Sequence, residues 1–177
     1  MPVDQDSATA MTDPLTRLVQ TYKGRGLLVD TNILLLYFVG TCDRRLITSF
    51  KRTRQFTAED LDFLLRLFDW FGTVVTTPNI LTEVHNLAGQ MPADQVRMWR
   101  SQFRSRISSL SEEYLPSAKT SESAQYLHCG LADAGVIEIS RGRLLALTDD
   151  LKLFVALQSE GVDAVNFNHL RTSNWIR

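Results

Sequence analysis

The chain has few cysteines, no long apolar run and almost no net charge, and each absence argues against a class of protein. Only Cys42 and Cys129 occur among 177 residues, and neither stands in a CxxC or Cys/His spacing, so nothing indicates a disulfide framework or a zinc site. The longest apolar run, Ile33 to Val39, is far shorter than the roughly 20 residues that span a bilayer. We therefore expect a cytoplasmic protein with no membrane partner.

The formal net charge is only −1, so any polyanionic partner must be bound by a local patch of positive charge. The start of the chain is polar and acidic, unlike a signal peptide. We predict one domain, residues 23–177, after an N-terminal extension of residues 1–22. The extension is expected to be disordered over residues 1–11 and helical from Pro14 to about Tyr22.

Short apolar segments typical of buried strands alternate along the chain with longer segments that have the apolar spacing of helices. Strands are predicted at Leu27–Asp30, Thr73–Thr76, Leu144–Leu147 and Asp163–Phe167, with amphipathic helices between them. This alternation predicts an α/β fold with a parallel sheet that is covered by helices on both faces. In such sheets, ligands bind beyond the carboxyl ends of the strands, so the residues that follow each strand are of most interest.

Several helix boundaries are also readable. One helix should run from Ile33 to Val39 and end at Gly40, and another should begin at Thr57 and end at Gly72. A third should have Thr77 as its N-cap and Pro78 as its first residue. A long helix is predicted from an apolar stripe between Val96 and Tyr114. Trp99 and Phe103 belong to that stripe, so they are expected in the core rather than as stacking platforms for bases.

Acidic residues stand at four notable places. Asp30 ends the first strand, Glu83 lies one to two turns into the helix after the second strand, Asp133 enters a helix after Gly130, and the pair Asp149-Asp150 ends the strand that begins at Leu144. Taken singly, each has an ordinary interpretation as a helix cap, a first-turn acid or a surface acid. Carboxylates gathered at one sheet edge repel each other, and hard divalent cations with oxygen ligands relieve that repulsion best. The set therefore suggests a Mg²⁺ or Mn²⁺ site.

The stretches LLVDTNILL, TTPNILTEVHNL, GLADAGVIEIS and LLALTDDLKLFVALQSEGVDAVNF carry these acids. Together they resemble the four acidic motifs of PIN-domain nucleases, in the usual order, between about Leu27 and Leu170. The resemblance implies a three-layer α/β/α sandwich with a central, mostly parallel sheet of four or five strands. It also implies cleavage of phosphodiesters, usually in RNA, that depends on Mg²⁺ or Mn²⁺ and uses water as the nucleophile.

Matched position by position, the resemblance implies that Asp30, Glu83, Asp133 and Asp150 are catalytic and bind metal, with Asp149 as the alternate for Asp150. Thr31, Asn32 and Thr148 would be supporting polar residues that orient the acids. Many small PIN proteins are toxins, so an antitoxin and a second copy of the chain are expected as partners besides the RNA substrate.

Two basic clusters are candidates for binding that RNA. Arg97, Arg100 and Arg104 lie on one flank of the long helix, and Arg52 and Arg54 belong to a basic stretch that begins at Arg44. Arginines beside an apolar stripe are equally well explained as solvated residues.

Two other functions compete with the nuclease. A receiver or phosphatase-like α/β domain would also bind Mg²⁺ after its first strand. The phosphatases require D-x-D there, whereas this chain has Asp30-Thr31-Asn32. A non-catalytic PIN-like module that binds RNA or protein is the other alternative, and the presence of all four acids argues for catalysis instead.

Overall fold

A single five-stranded sheet lies at the centre of the computed structural model, which describes residues 14–172. Its strands are β1 (Leu27–Val29), β2 (Val74–Thr76), β3 (Ser111–Glu112), β4 (Leu145–Thr148) and β5 (Ala164–Asn166). All neighbours pair in parallel, in the order β3-β2-β1-β4-β5. Four of these strands are buried along their whole length, while the edge strand β3 is exposed.

Ten helices connect and flank the strands in the described part of the chain. They are α1 (Pro14–Thr21), α2 (Thr31–Cys42), α3 (Arg45–Ser49), α4 (Ala58–Phe71), α5 (Pro78–Ala88), α6 (Ala93–Arg106), α7 (Ser117–Ser121), α8 (Tyr126–Ser140), α9 (Leu151–Ser159) and α10 (Phe167–Thr172). Because crossovers between parallel strands are right-handed as a rule, this strand order puts α2 to α6 on one face of the sheet and α7 to α9 on the other. Accordingly, α2 packs on α4, α5 and α6, whereas α8 packs on α7 and α9. The predicted α/β sandwich is confirmed.

Local sequence signals set the ends of two helices as predicted. Thr57 and Asp60 form a reciprocal capping box at the start of α4, and Gly72 ends that helix in the left-handed conformation, with φ of 70°. Thr77 caps α5 through the backbone N–H of Ile80, and Pro78 occupies the first helical position. These caps fix where β2 passes into α5, and therefore where Glu83 lies.

The prediction that Gly40 ends the second helix is wrong, because α2 continues through it to Cys42. A Cβ atom at Gly40 would lie 2.8 Å from Cδ2 of Leu61 and 2.9 Å from Cδ1 of Ile47. A larger residue would therefore force the Leu61 and Ile47 side chains to shift, so glycine permits the close approach of α2 to its neighbours here and does not end the helix.

The predicted helix from Val96 to Tyr114 is too long. Helix α6 ends at Arg106, and the chain passes through a 3₁₀ turn at Ile107–Ser109 into β3. The hydroxyls of Ser108 and Ser109 donate to backbone carbonyls three residues earlier, an interaction that competes with continued α-helix. Trp99 is fully buried, as predicted for a residue of the stripe.

The short helix predicted before β1 is present as α1, and Val19 and Tyr22 join the same core as the sheet. The Tyr22 hydroxyl donates to Oδ2 of Asp163 at 2.7 Å, so this segment is tied to the turn before β5. The predicted disorder over residues 1–11 lies outside the described residues. Between residues 14 and 172, no helix has the length and apolar character needed to cross a bilayer.

Candidate active site

Strands β1 and β4 are neighbours, and the chain leaves them in opposite directions along the sheet. Val29 pairs with Leu147, so the residues that follow the two strands lie side by side. This is the topological switch point of the sheet, where a crevice for ligands opens beyond the carboxyl ends of the strands. Asp30 follows β1, and Asp149 and Asp150 follow β4.

Asp30 is the most buried acid of the crevice, with 7% of its surface exposed. Its Oδ1 accepts from the backbone N–H of Thr31 at 2.6 Å, and its Oδ2 accepts from the Thr148 hydroxyl at 2.7 Å. Burial raises the pKa of Asp30 to about 7, against the effect of these hydrogen bonds, and the charges of Asp133 and Asp149 raise it further. Asp30 is therefore the N-cap of α2, and burial disfavours the ionised form of its carboxyl group.

The two acids after β4 have different surroundings. Asp150 is exposed and caps α9, since its Oδ1 accepts from the backbone N–H groups of Lys152 and Leu153. Asp149 is half-buried, its Oδ2 accepts from the Gln55 amide at 3.0 Å, and its buried Oδ1 has no hydrogen-bond partner. Burial raises the pKa of Asp149, while the Asn32 side chain lowers it.

Asp133 and Glu83 reach the crevice from helices on opposite faces of the sheet. Burial raises the pKa of Asp133 to about 6, and the charges of Asp150 and Glu83 add to that rise. Oε2 of Glu83 accepts from the Thr31 hydroxyl at 2.8 Å, directly beside Asp30. Asp133 therefore interacts electrostatically with Asp30, Asp150 and Glu83, and Asp149 interacts with Asp30 and Asp150, so these five acids are linked pair by pair at this edge of the sheet.

Among residues 14–172, no basic side chain lies within ion-pair distance of these acids. Between residues 14 and 172, no group of three or more His, Cys, Asp or Glu side chains has the arrangement needed to hold a metal ion. A set of carboxylate oxygens, with pKa values raised by burial at Asp30 and Asp133, nevertheless fits the chemistry of Mg²⁺ or Mn²⁺.

The supporting residues lie beside the acids, and one contributor was not predicted. Thr31 donates to Asp30 through its backbone N–H and to Glu83 through its hydroxyl, and the Thr148 hydroxyl donates to Asp30. The Asn32 side chain interacts with Asp149. Gln55 also holds Asp149, although it lies in a segment with no periodicity that would have identified it. An Nη1 donor of Arg171 contacts both the Gln55 carbonyl and the Asp60 carboxylate, and so fixes the segment that carries Gln55.

The two predicted basic clusters meet at the turn of residues 89–91. Arg97 and Arg100 are exposed and line a groove with Gly89 and Met91, and Nε of Arg52 donates to Oε1 of Gln90 at 3.1 Å. Arg104 is exposed farther along α6. Arg54 is exposed and directly precedes Gln55, the residue that touches Asp149.

Some basic and aromatic residues near these clusters have other partners. Arg44 pairs with Asp62, and Arg45 pairs with Asp43, which removes them from the free basic surface. His85, which could have bordered the acids, packs against Trp99 and Phe103 instead. Trp99 and Phe103 stack on each other with ring centroids 4.8 Å apart. Trp99 belongs to the core, as predicted, whereas Phe103 is half-buried and packs against the edge of the core.

Comparison of the chain with known protein families, with curated proteins and with solved structures gave no significant match.

Proposed function

We propose that the protein is a Mg²⁺- or Mn²⁺-dependent endoribonuclease of the PIN type. The observation that carries the proposal is the convergence of Asp30, Glu83, Asp133, Asp149 and Asp150 at the switch point, with no compensating basic side chain among the described residues. A protein that needed these residues only as helix caps would have no reason to place their charges together. A divalent cation supplies the missing positive charge.

The residues that would hold the cation are Asp30, Asp133, Asp150 and Glu83, with Asp149 beside them. A metal ion at such a site supplies a nucleophilic hydroxide and stabilises the charge on the departing oxygen. Thr31 and Thr148 orient the carboxylates of Glu83 and Asp30 through hydrogen bonds. The Thr148 hydroxyl also accepts from the backbone N–H of Asp150 at 3.0 Å, so it links the two strand ends.

RNA is the proposed substrate because a basic surface leads towards the acids on a chain whose net charge is close to zero. Arg52, Arg97 and Arg100 surround the turn of residues 89–91, and Arg54 directly precedes Gln55, which touches Asp149. Phosphate contacts of this kind position a strand without reading its sequence. An antitoxin partner and a homodimer remain predictions from the resemblance.

The experiment that tests the proposal is cleavage of end-labelled single-stranded RNA by the purified protein. We expect cleavage with Mg²⁺ or Mn²⁺, its loss with EDTA, and 5′-phosphate products because water is the nucleophile. Products with cyclic 2′,3′-phosphate ends would refute the mechanism. RNA binding without cleavage under all metal conditions would instead support the non-catalytic binding module.

A further inference from the structure

A second feature of the acid crevice is a cavity of about 290 Å³ at its side. Asp133 and Asp150 form the wall shared with the crevice. The remaining lining is Gln125, His128, Cys129, Lys152, Leu153 and Ala156. A pocket that shares two carboxylates with the proposed catalytic cluster is placed to hold a group next to the bond that is cleaved.

The cavity depends on a break in α8 at Gly130. This glycine has φ of 82° and ψ of −179°, a backbone conformation that essentially only glycine adopts. His128 and Cys129 precede the break and Asp133 follows it, so the two parts of α8 form a bent wall. The opposite wall is α9, which packs against α8.

The lining combines three kinds of chemistry. Lys152 and His128 are exposed nitrogen-bearing side chains, and Lys152 forms no ion pair with any residue from 14 to 172. Leu153 is buried and, with Ala156 and the half-buried Cys129, gives the cavity an apolar floor. The Gln125 amide donates to Oε1 of Glu160 at 2.6 Å, which holds that side chain in one orientation at the rim.

We propose that this pocket binds one ribonucleotide of the single-stranded RNA, adjacent to the scissile phosphate, an inference that rests on the proposed function. Lys152 contacts its phosphate, and its base lies over the floor of Leu153 and Ala156, within reach of His128 and Gln125. A site for a cation alone would need no apolar floor, and a purely apolar ligand would need no lysine. The volume of about 290 Å³ lies just below the ~300–1,000 Å³ range of drug-sized small-molecule sites, so the pocket has room for no more than a single nucleotide.

Another cavity of the described chain lacks this combination and provides a matched control. It is lined by Lys119 and Arg143 but also by Glu113, Glu122 and Glu138, and Arg143 is paired with Glu113. Acids outnumber the free cations in both cavities, but Asp133 and Asp150 belong to the proposed cation site, whereas Glu113, Glu122 and Glu138 do not, so an anionic nucleotide is disfavoured at the second cavity. Lys119 is exposed like Lys152, so Lys119→Gln removes the same charge at a different place.

The test has a binding arm and a kinetic arm, each applied to the wild type, Lys152→Gln and Lys119→Gln after circular dichroism has confirmed folding. In the binding arm, adenosine 5′-monophosphate and inorganic phosphate are titrated into ¹⁵N-labelled protein with Ca²⁺ present. We expect the nucleotide to shift amide signals of residues 125–129 and 152–156. Lys152→Gln should weaken this binding about tenfold, as expected for a hydrogen bond to a charged group, and Lys119→Gln should not.

In the kinetic arm, Lys152→Gln should raise KM for single-stranded RNA about tenfold and leave kcat within about twofold, because the lost contact stabilises the bound substrate and the transition state equally.

Two results would overturn the proposal. In the binding arm, inorganic phosphate that binds as tightly as the nucleotide would do so, since the base would then contribute nothing. Loss of nucleotide binding with an unchanged KM for RNA would also overturn it in favour of a free nucleotide ligand. If the wild type binds the nucleotide in this pocket but cleaves no RNA, the proposed function fails while the nucleotide pocket stands.

Discussion

The Thr148 hydroxyl donates to Oδ2 of Asp30 at 2.7 Å and accepts from the backbone N–H of Asp150 at 3.0 Å. One side chain at the end of β4 thus connects the acid that follows β1 with an acid that follows its own strand. The bond lies at the switch point of the sheet, and it lowers the pKa of Asp30 against the effect of burial. Asp30 is therefore held for binding a cation by a hydroxyl from the neighbouring strand.

Replacing that hydroxyl tests its positioning role. Thr148→Val keeps the shape but leaves two polar groups without their partner, so the free energy of unfolding should fall by about 1–3 kcal/mol. RNA cleavage should fall roughly 10–100-fold, as for other residues that orient metal ligands. Thr148→Ser retains the hydroxyl and should keep most of the activity. Equal activity of the Val and Ser variants would show that the hydrogen bond has no role in the site.

The substitution Asp30→Asn removes the negative charge of this residue but keeps its function as a helix N-cap, so it distinguishes the two roles. Asn is as good an N-cap as Asp, so α2 keeps its start. Because the pKa of Asp30 is raised in the folded protein to about 7, its carboxylate destabilises the metal-free fold as pH rises from about 4 to 7. Relative to the wild type, the variant should therefore gain stability over this window, by up to about 1.4 kcal/mol for each pKa unit.

The measurement is urea unfolding of metal-free protein at a series of pH values, paired with an RNA cleavage assay in Mn²⁺. Cleavage by Asp30→Asn should fall at least about tenfold, since a cation ligand loses its charge. A variant that is less stable than the wild type at every pH would favour a purely structural cap.

Two substitutions at Asp150 also distinguish its function as a helix N-cap from the function of its negative charge. Its Oδ1 caps α9, so Asp150→Ala should lower the free energy of unfolding by about 1 kcal/mol, whereas Asp150→Asn should leave it nearly unchanged. Both variants should lose RNA cleavage to the same extent, because both remove the negative charge. Thermal melting and initial cleavage rates measure the two effects. If RNA cleavage instead falls only in the less stable Asp150→Ala variant, Asp149 is the acid that binds the cation.

The basic surface predicts a change in salt dependence. Replacing Arg52, Arg97 and Arg100 with Gln should weaken RNA binding. The slope of log affinity against log salt should also fall, by about 0.7 for each single-strand phosphate that an arginine no longer neutralises. Fluorescence anisotropy with Ca²⁺ in place of Mg²⁺ measures both quantities. Arg66→Gln, an exposed arginine on α4, is the control. An unchanged slope in the folded triple variant would assign these arginines to solvent or to a protein partner.

Local signals made part of this structure predictable. Thr57, Gly72, Thr77 and Pro78 determine helix ends through contacts within a few residues, and these ends were predicted correctly. The acids after β1 and β4 were identified because parallel strands bring their carboxyl ends to one edge. The order of the strands, by contrast, was not predicted.

Features that depend on distant contacts could not be predicted from the sequence. Gly40 has the sequence pattern of a helix stop, but its role depends on Leu61, which lies in another helix. Gln55 lies 94 residues from Asp149 along the chain, and no local pattern connects them. The sequence also left Asp149 and Asp150 as alternates, whereas the fold gives them different partners: Asp150 caps α9, and Asp149 lies near Asp30.

The most direct test of the central claim, that the acids at the switch point bind a catalytic cation, is a crystal structure with Mn²⁺ and an anomalous difference map collected near the manganese edge. We expect a peak coordinated by carboxylate oxygens of Asp30 and Asp133 and by an acid after β4. The same crystals of Asp30→Asn should show a weaker peak or none at an equal Mn²⁺ concentration. A wild-type map with no peak between these residues, or with its strongest peak at the cavity of Glu113, Glu122 and Glu138, would contradict the claim.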